Sequence, residues 1–328
     1  MAFAKQFHST YFSSNNTEYN LEIFVDGFVG SSTEIKLGPE GCVISSDTSG
    51  QTKFTNIMST GMSIPFVVED SSMASFITSL RTTYQEQEVY AHLYVVGTTR
   101  PLWSGYILMD LGSEEDVSFP YIVELKATDG IGLLKNHDFV VDGAAVPYDI
   151  SDTFLAQGTT SGYKTIIDWI EIILLKTGQS LTTQGAANNY TYQTCVQWYN
   201  KDHSGTALAD DPLALTKCKM DSFYKEDDDG NYSVVSFYDV LDQICKSWGM
   251  RCIYWHHTFY FIQISLYKTN ESGTVSVPVN VPTREYYYNG GLKGTQNYVG
   301  SLALARYELD LENATSPSTG LQKLSGGS

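Results

Sequence analysis

Residues 236–263, SFYDVLDQICKSWGMRCIYWHHTFYFIQ, constrain the fold more than any other stretch, because they read as one compact unit: a helix followed by a β-hairpin. Ser236 is placed to cap the helix. Asp239 falls three residues on, in the first turn, where a carboxylate suits the positive helix end. Val240, Leu241, Ile244 and Cys245 recur at helical spacing, and Trp248 extends the same apolar face. Gly249 stands where such a helix stops. Two strand-like runs follow, 251–255 and 259–264, joined at His256-His257-Thr258. The helix residues Val240, Leu241 and Ile244 are expected to pack against Ile253, Tyr260 and Ile262. The unit holds no evident catalytic group; its residues suit packing and the presentation of a surface.

The chain before this unit divides in two. Residues 1–127 read mostly as strands: 19–25 alternates and meets the turn Asp26-Gly27, and 32–37, 42–45, 62–68, 89–96, 102–108 and 119–127 follow. In the last of these Tyr121, Val123 and Leu125 share a face. One helix interrupts at 71–86, with Met73, Phe76, Ile77 and Leu80 on one side and Ser71 or Ser72 as its cap. Asp129 is placed to cap a short helix just after the last strand. A connector with Gly143 and Pro147 marks a boundary. The helix at 163–177 carries an apolar stripe of Trp169, Ile170 and Ile173 with Ile166 and Leu174, ended by Gly178. After the lead unit, 274–281, 284–288 and 298–309 read as further strands around the Gly-rich 289–294. The fold class is therefore a β-rich α+β chain. A small β-barrel or sandwich domain with one helix spans 1–140. An α/β domain whose helix packs on a β-hairpin spans 141–270, with helices near 163–177 and 236–248. More strands, placed to return to a barrel, occupy 271–312, and 313–328 is a linker-like tail.

Charge and composition narrow the function. The 328 residues carry 37 acidic against 20 basic side chains, a formal net charge of −17, which argues against general affinity for nucleic acid or anionic membrane. Two readings of the acidity stay open: solubility, and an acidic wall along a passage that nucleic acid must slide through without sticking. The 23 tyrosines fit strands first and subunit interfaces second. Five cysteines, Cys42, Cys195, Cys218, Cys245 and Cys252, form no CxxC pair and read as reduced thiols. The first residues lack the apolar core of a leader, and no apolar run has the length of a membrane span, so the expectation is a protein made and kept in the cytoplasm or packed into a particle.

Searching for chemistry yields little. Residues 225–231, KEDDDGN, place acidic side chains before a Gly, but Lys225 and Ser236 fall where a calcium loop needs acidic ligands, so a solvated turn between two strands is the reading. His256 and His257, adjacent on a strand, point to opposite faces, and the other histidines are scattered. Gly130-Ile131-Gly132 is too short for a dinucleotide loop, and neither a P-loop nor a GxSxG occurs. Asp168 and Glu171, three apart on one helix, form a carboxylate pair on a hydrated face. No catalytic residue, cofactor or metal site is expected. Trp198 and the run Tyr286, Tyr287, Tyr288 are the candidate interface or glycan-facing residues: aromatic faces serve a subunit contact or, if exposed and coplanar, a sugar.

Two segments carry a resemblance. Residues 119–135, FPYIVELKATDGIGLLK, run a strand straight into Ala-Thr-Asp-Gly and a short Leu-rich helical turn, and residues 239–249, DVLDQICKSWG, precede a hairpin. Both look like segments of the tail hub and baseplate proteins of tailed bacteriophages. That resemblance implies small β-barrel domains in a ring around the tail channel, with smaller helix-on-hairpin domains attached. It implies a non-enzymatic structural protein of the virion tail tip, made in the host cytoplasm. Such a chain assembles as a homo-oligomeric ring of threefold or sixfold symmetry, joins the tail tube to fibres or spike and to other tail and baseplate proteins, and passes DNA without specific binding. The turn His256-His257-Thr258 lacks the Gly or Asn such hairpins favour, which leaves the hairpin register open. The competing reading is a carbohydrate-binding receptor-recognition protein or glycan-active enzyme of a virion or cell surface.

Overall fold

The computed structural model describes residues 3–46, 55–85, 87–109, 118–139, 163–179, 191–196, 211–223, 225–226, 232–233, 235–264, 281–287 and 292–298. The chain is strand-rich and mixed α+β. In the N-terminal part lie β1 (Phe3–Phe12), β2 (Glu18–Asp26), β3 (Thr33–Glu34), β4 (Val43–Ser46), β5 (Ile57–Met58), β6 (Thr60–Val68), β7 (Val89–Val95), β8 (Trp103–Ile107) and β9 (Tyr121–Thr128). All but β5 form one eight-stranded sheet in the order β3-β1-β2-β7-β8-β9-β6-β4, antiparallel except where β3 runs parallel to β1. Strand alternation sets its faces: Leu21, Ile23 and Val25 of β2 and Met62, Ile64, Phe66 and Val68 of β6 are buried on one side. Helix α1 (Ser71–Thr82) brings Met73, Phe76, Ile77 and Leu80 to the same core. Its cap is Asp70, not Ser71 or Ser72; the Asp70 carboxylate accepts from Ser72 N and Met73 N, each at 2.9 Å.

The sheet is open and does not close into a barrel. What brings its ends near each other is the segment 33–38. Ile35 N donates to His8 O of β1 at 2.8 Å, while Gly38 N donates to Pro65 O of β6 at 2.7 Å and Val67 N to Lys36 O at 3.1 Å. One peptide segment thus touches β1 at one end and β6 at the other.

The later strands are β10 (Tyr163–Thr165), β11 (Thr191–Cys195), β12 (Lys217–Lys219), β13 (Lys225–Glu226), β14 (Tyr232–Ser233), β15 (Met250–Trp255), β16 (Thr258–Gln263), β17 (Val281–Tyr287) and β18 (Leu292–Tyr298). A second, six-stranded sheet has the order β18-β17-β11-β16-β15-β5, and β10 with β12 and β13 with β14 make two small pairs. The β13/β14 pair stands on either side of the acidic run, as a turn between strands requires. Helices α2 (Ile166–Leu175), α3 (Pro212–Leu215) and α4 (Phe237–Trp248) pack alongside. The helix expected over 163–177 is thus shorter, because 163–165 pairs as strand β10 and Thr165 caps the helix.

The lead unit forms as its sequence directs. Ser236 and Asp239 make a reciprocal capping box, and Gly249 ends α4 in the left-handed region at φ 56°. The hairpin is in register from Met250↔Gln263 to Trp255↔Thr258, which leaves a two-residue turn at His256-His257. The face that α4 shares a core with is one residue out of step with expectation. Met250, Cys252 and Tyr254, with Phe259 and Phe261, join Val240, Leu241, Ile244 and Cys245, while Ile253, Tyr260 and Ile262 are buried on the opposite face. Both faces of this hairpin are covered, so period-two alternation carries no signal for which face meets the helix. Beneath α2 and α4 four rings interlock: Phe139 lies 5.6 Å from Trp169, 5.8 Å from Phe223 and 5.1 Å from Phe237 between centroids. One apolar core runs through both sheets, and β5 pairs in parallel with β15 through Ile57↔Cys252 and Met58↔Ile253. Among the described residues no helix is long and apolar enough to cross a membrane.

Candidate functional site

The most unusual chemistry lies where the hairpin tip meets the first sheet. His256 and His257 both adopt positive φ, 51° and 56°, as a two-residue hairpin turn of this twist demands. Asn and Gly take that conformation at little cost, and His is among the non-glycine residues found there more often than most. Each such residue costs about 1–2 kcal/mol of backbone strain. The compensation at His257 is a set of buried hydrogen bonds. Its Nδ1 bonds Ser104 Oγ of β8 at very short range and the Tyr254 hydroxyl at 3.0 Å. Ser104 Oγ also meets Tyr254 OH at 2.7 Å and Gln179 Oε1 at 3.3 Å, and Tyr254 OH donates to Ser104 O at 3.1 Å. His256 sets its ring 5.4 Å from that of Trp255.

The network continues through Gln179, whose Nε2 donates to Asp129 O at 2.8 Å and to Ser104 O at 3.3 Å. Asp129 is fully buried. One carboxylate oxygen accepts from Thr60 N at 2.5 Å and Thr60 Oγ1 at 3.1 Å; the other accepts from Ile131 N at 3.0 Å. Trp103 Nε1 donates to the same Thr60 hydroxyl at 3.0 Å. Burial pushes the Asp129 carboxyl up to about 7, against the pull of those donors. The N-cap of the short 3₁₀ helix Ile131–Asn136 is Gly130 and not Asp129; the Asp129 carboxylate, one residue earlier, accepts from the first helical amide and ties β6 to that turn. Gly130 is indispensable here: it sits at φ 86°, and a Cβ would lie 2.1 Å from Thr177 O, so only glycine lets the end of α2 approach.

A second buried imidazole borders the junction. His92 of β7 stands between Glu22 of β2 and Ser104 of β8 in the strand register, 6.1 Å from the His257 ring, and its Nδ1 has no partner among the described residues. Burial, with the neighbouring His257, lowers it to about 3. At the rim, Arg100 Nη2 donates to Thr191 Oγ1 at 2.8 Å and Glu285 Oε1 at 3.2 Å, clasping β11 and β17 to the first sheet. Ser104 and His257 are a hydroxyl and an imidazole in contact, but Ser104 is 0% exposed and His257 1%. The arrangement links the two sheets.

The residues singled out from sequence fall elsewhere. Trp198 and Tyr288 lie outside the described residues. Tyr286 is buried on β17: its ring stacks on Tyr192 at 5.0 Å and 7°, and its hydroxyl donates to Asp211 Oδ2 at 2.6 Å. Burial, then the Asp211 charge, raises that phenol. Tyr287, on the other side of the strand, is 45% exposed. Asp211 also accepts from Thr194 Oγ1 at 2.8 Å, and the buried Arg284 stands 4.0 Å from it. Asp168 spends its carboxylate on the Thr165 amide at 2.8 Å, in the capping box of α2, which accounts for it without a catalytic partner. Burial raises the thiols of Cys245 and Cys252. No group of three or more His, Cys, Asp or Glu able to hold a metal occurs among the described residues. Sequence reasoning missed Ser104, Gln179, His92 and the junction role of Asp129; the one available signal was a His-His turn where Asn-Gly belongs.

Set against known families, curated proteins and solved structures, the chain finds no match in any of the three.

Proposed function

We propose that this chain is a structural component of a phage tail tip, a baseplate hub or distal tail ring that joins the tube to fibres or spike and lines part of the DNA channel. The observation that carries the reading is the sealed junction: Asp129, His92 and Tyr254, each with its charged form disfavoured by burial, and the Ser104 hydroxyl are all buried between two interlocked sheets. Groups without a route to solvent serve rigidity, as a block under mechanical load needs, and not turnover. The resemblance of residues 119–135 and 239–249 to hub proteins points the same way, and the first of these segments supplies Asp129 to the junction. In this reading the first sheet is the barrel-like wall unit, the ring has threefold or sixfold symmetry, and the net charge of −17 keeps the bore from holding DNA. Negative-stain microscopy of the purified chain tests it. Closed rings with a central hole are expected; isolated particles of single-chain size at every concentration overturn it.

The exposed Tyr287 ring favours one other reading, a glycan-binding surface on the outer side of β17. Saturable binding on a glycan array, lost in Tyr287→Ala, would support it, and a silent array removes it.

A further inference from the structure

A cleft of about 710 Å³ opens between the two ends of the first sheet. Residues 9–14 form one wall, residues 34–42 with Ile44 the other, and Tyr19, Leu93 and Leu102 the remainder. The Tyr11 ring crosses its floor, stacked on Tyr19 at 5.6 Å and 22°, with its hydroxyl accepting from Cys42 N at 3.3 Å. The first wall is an unfinished strand edge. On its outer side β1 pairs with β3 only at Phe7 and His8, after which β3 leaves for β6. His8 O accepts from Ile35 N on that side, so strand alternation turns the N–H and C=O of Thr10 and Phe12 the same way. No strand pairs with them among the described residues. The other wall leads into β4, the opposite end of the sheet, which among the described residues pairs with β6 alone.

The chemistry of such an edge specifies its occupant. Regularly spaced amide donors and carbonyl acceptors beside a partly apolar floor are matched by an extended peptide strand. Among the described residues every lining residue comes from residues 9–44 or is Leu93 or Leu102, and none of them fills the cleft. The sequence offers a strand-like run at 301–311, SLALARYELDL, which begins three residues beyond β18 at the outer edge of the second sheet. We infer that residues 301–311 of a second copy of this chain add as a strand to the β1 edge at Thr10 and Phe12. This deepens the ring reading and rests on it: a strand given by one copy and received by the next is a heterologous contact, the kind that closes into rings.

Amide hydrogen exchange on the full-length chain, measured above and below the concentration at which it assembles, tests this. The Thr10 and Phe12 amides should exchange at least about tenfold more slowly in the assembly than in the monomer. Thr10→Pro removes a donor that faces the cleft and not β2, and should abolish assembly with the melting temperature of the monomer kept. Leu304→Glu should do the same, and it keeps the test decisive if the proline variant fails to fold. An assembly in which both amides exchange at the monomer's rate overturns the inference and leaves the ring standing. Equal protection in the monomer shows that the chain fills its own cleft, which also overturns it, as does a Leu304→Glu chain that assembles normally. A chain that never assembles overturns the ring and this inference together.

Discussion

The apolar core beneath α2 and α4 and the polar junction at the hairpin tip are both fully buried, yet they are held by opposite means. The core is made of neighbours in sequence: Phe237, Val240, Leu241, Ile244 and Cys245 on one helix, Ile166, Trp169, Ile170 and Ile173 on the other. Its contacts are non-directional, so a vacancy costs area and volume. The junction joins Thr60, Ser104, Asp129, Gln179, Tyr254 and His257, with Tyr254 bonding a residue 150 positions away. Its contacts are directional and interdependent, so loss of one partner strands another in a dry environment. The core makes each part fold, and the junction decides how the two sheets sit on each other.

Four perturbations sharpen or break this contrast. The largest effect is expected in the core: Trp169→Ala removes a ring packed on Phe139 and Phe223 and should cost about 3–5 kcal/mol by chemical denaturation. A loss under about 1 kcal/mol would show that the site collapses around the gap. Next is Tyr254→Phe, which keeps the ring and deletes only the hydroxyl bonded to Ser104 and His257. It should cost about 1–3 kcal/mol. If it is silent, the hydrogen bonds of the Tyr254 hydroxyl carry no weight in holding the sheets together.

A third test reads pH. The Asp129 pKa is raised above its unfolded value, so its contribution is fully present below about pH 4 and is lost as pH rises toward 7. The His92 pKa is lowered, so its contribution is present above about pH 6.5 and is lost as pH falls toward 3. Over the shared window the two slopes oppose each other. Thermal melts of Asp129→Asn should therefore show stability falling as pH drops below 6.5, and melts of His92→Gln should show it falling as pH rises from 4 to 7. Two parallel profiles would contradict the assignment. The smallest effect concerns the turn. His256→Gly relieves a left-handed φ and should change stability by no more than about 1 kcal/mol, in the favourable direction. His257→Gly relieves the same strain yet should destabilise by about 1–3 kcal/mol, because Ser104 and Tyr254 lose the imidazole. Equal signs for the pair would mean that the hydrogen bonds of His257 carry no weight.

What could be read from sequence follows the same division. Ser236, Asp239 and Gly249 act within a few residues of where they stand, and α4 starts and stops where they direct. The stripe of Trp169, Ile170 and Ile173 marked its buried face for the same reason. The hairpin was legible as two strands, but not its inner face: with both sides of Met250–Trp255 buried, Cys252 and Ile253 look alike to an alternation rule. The barrel expectation failed to register that β3 pairs over only two residues before crossing to β6. Ser104, His92 and Gln179 carried no local mark, since what defines them is a partner 75 or more residues away or, for His92, burial between strands. Only the His256-His257 turn betrayed the junction, as a backbone shape filled by the wrong residues for a free-standing hairpin.

The account stands or falls on assembly, and native mass spectrometry of the full-length chain counts copies directly. A single dominant species of three or six chains, with little in between, is the result predicted. A lone chain that stays so across a hundredfold range of concentration, with no larger species at the top of it, would contradict the account.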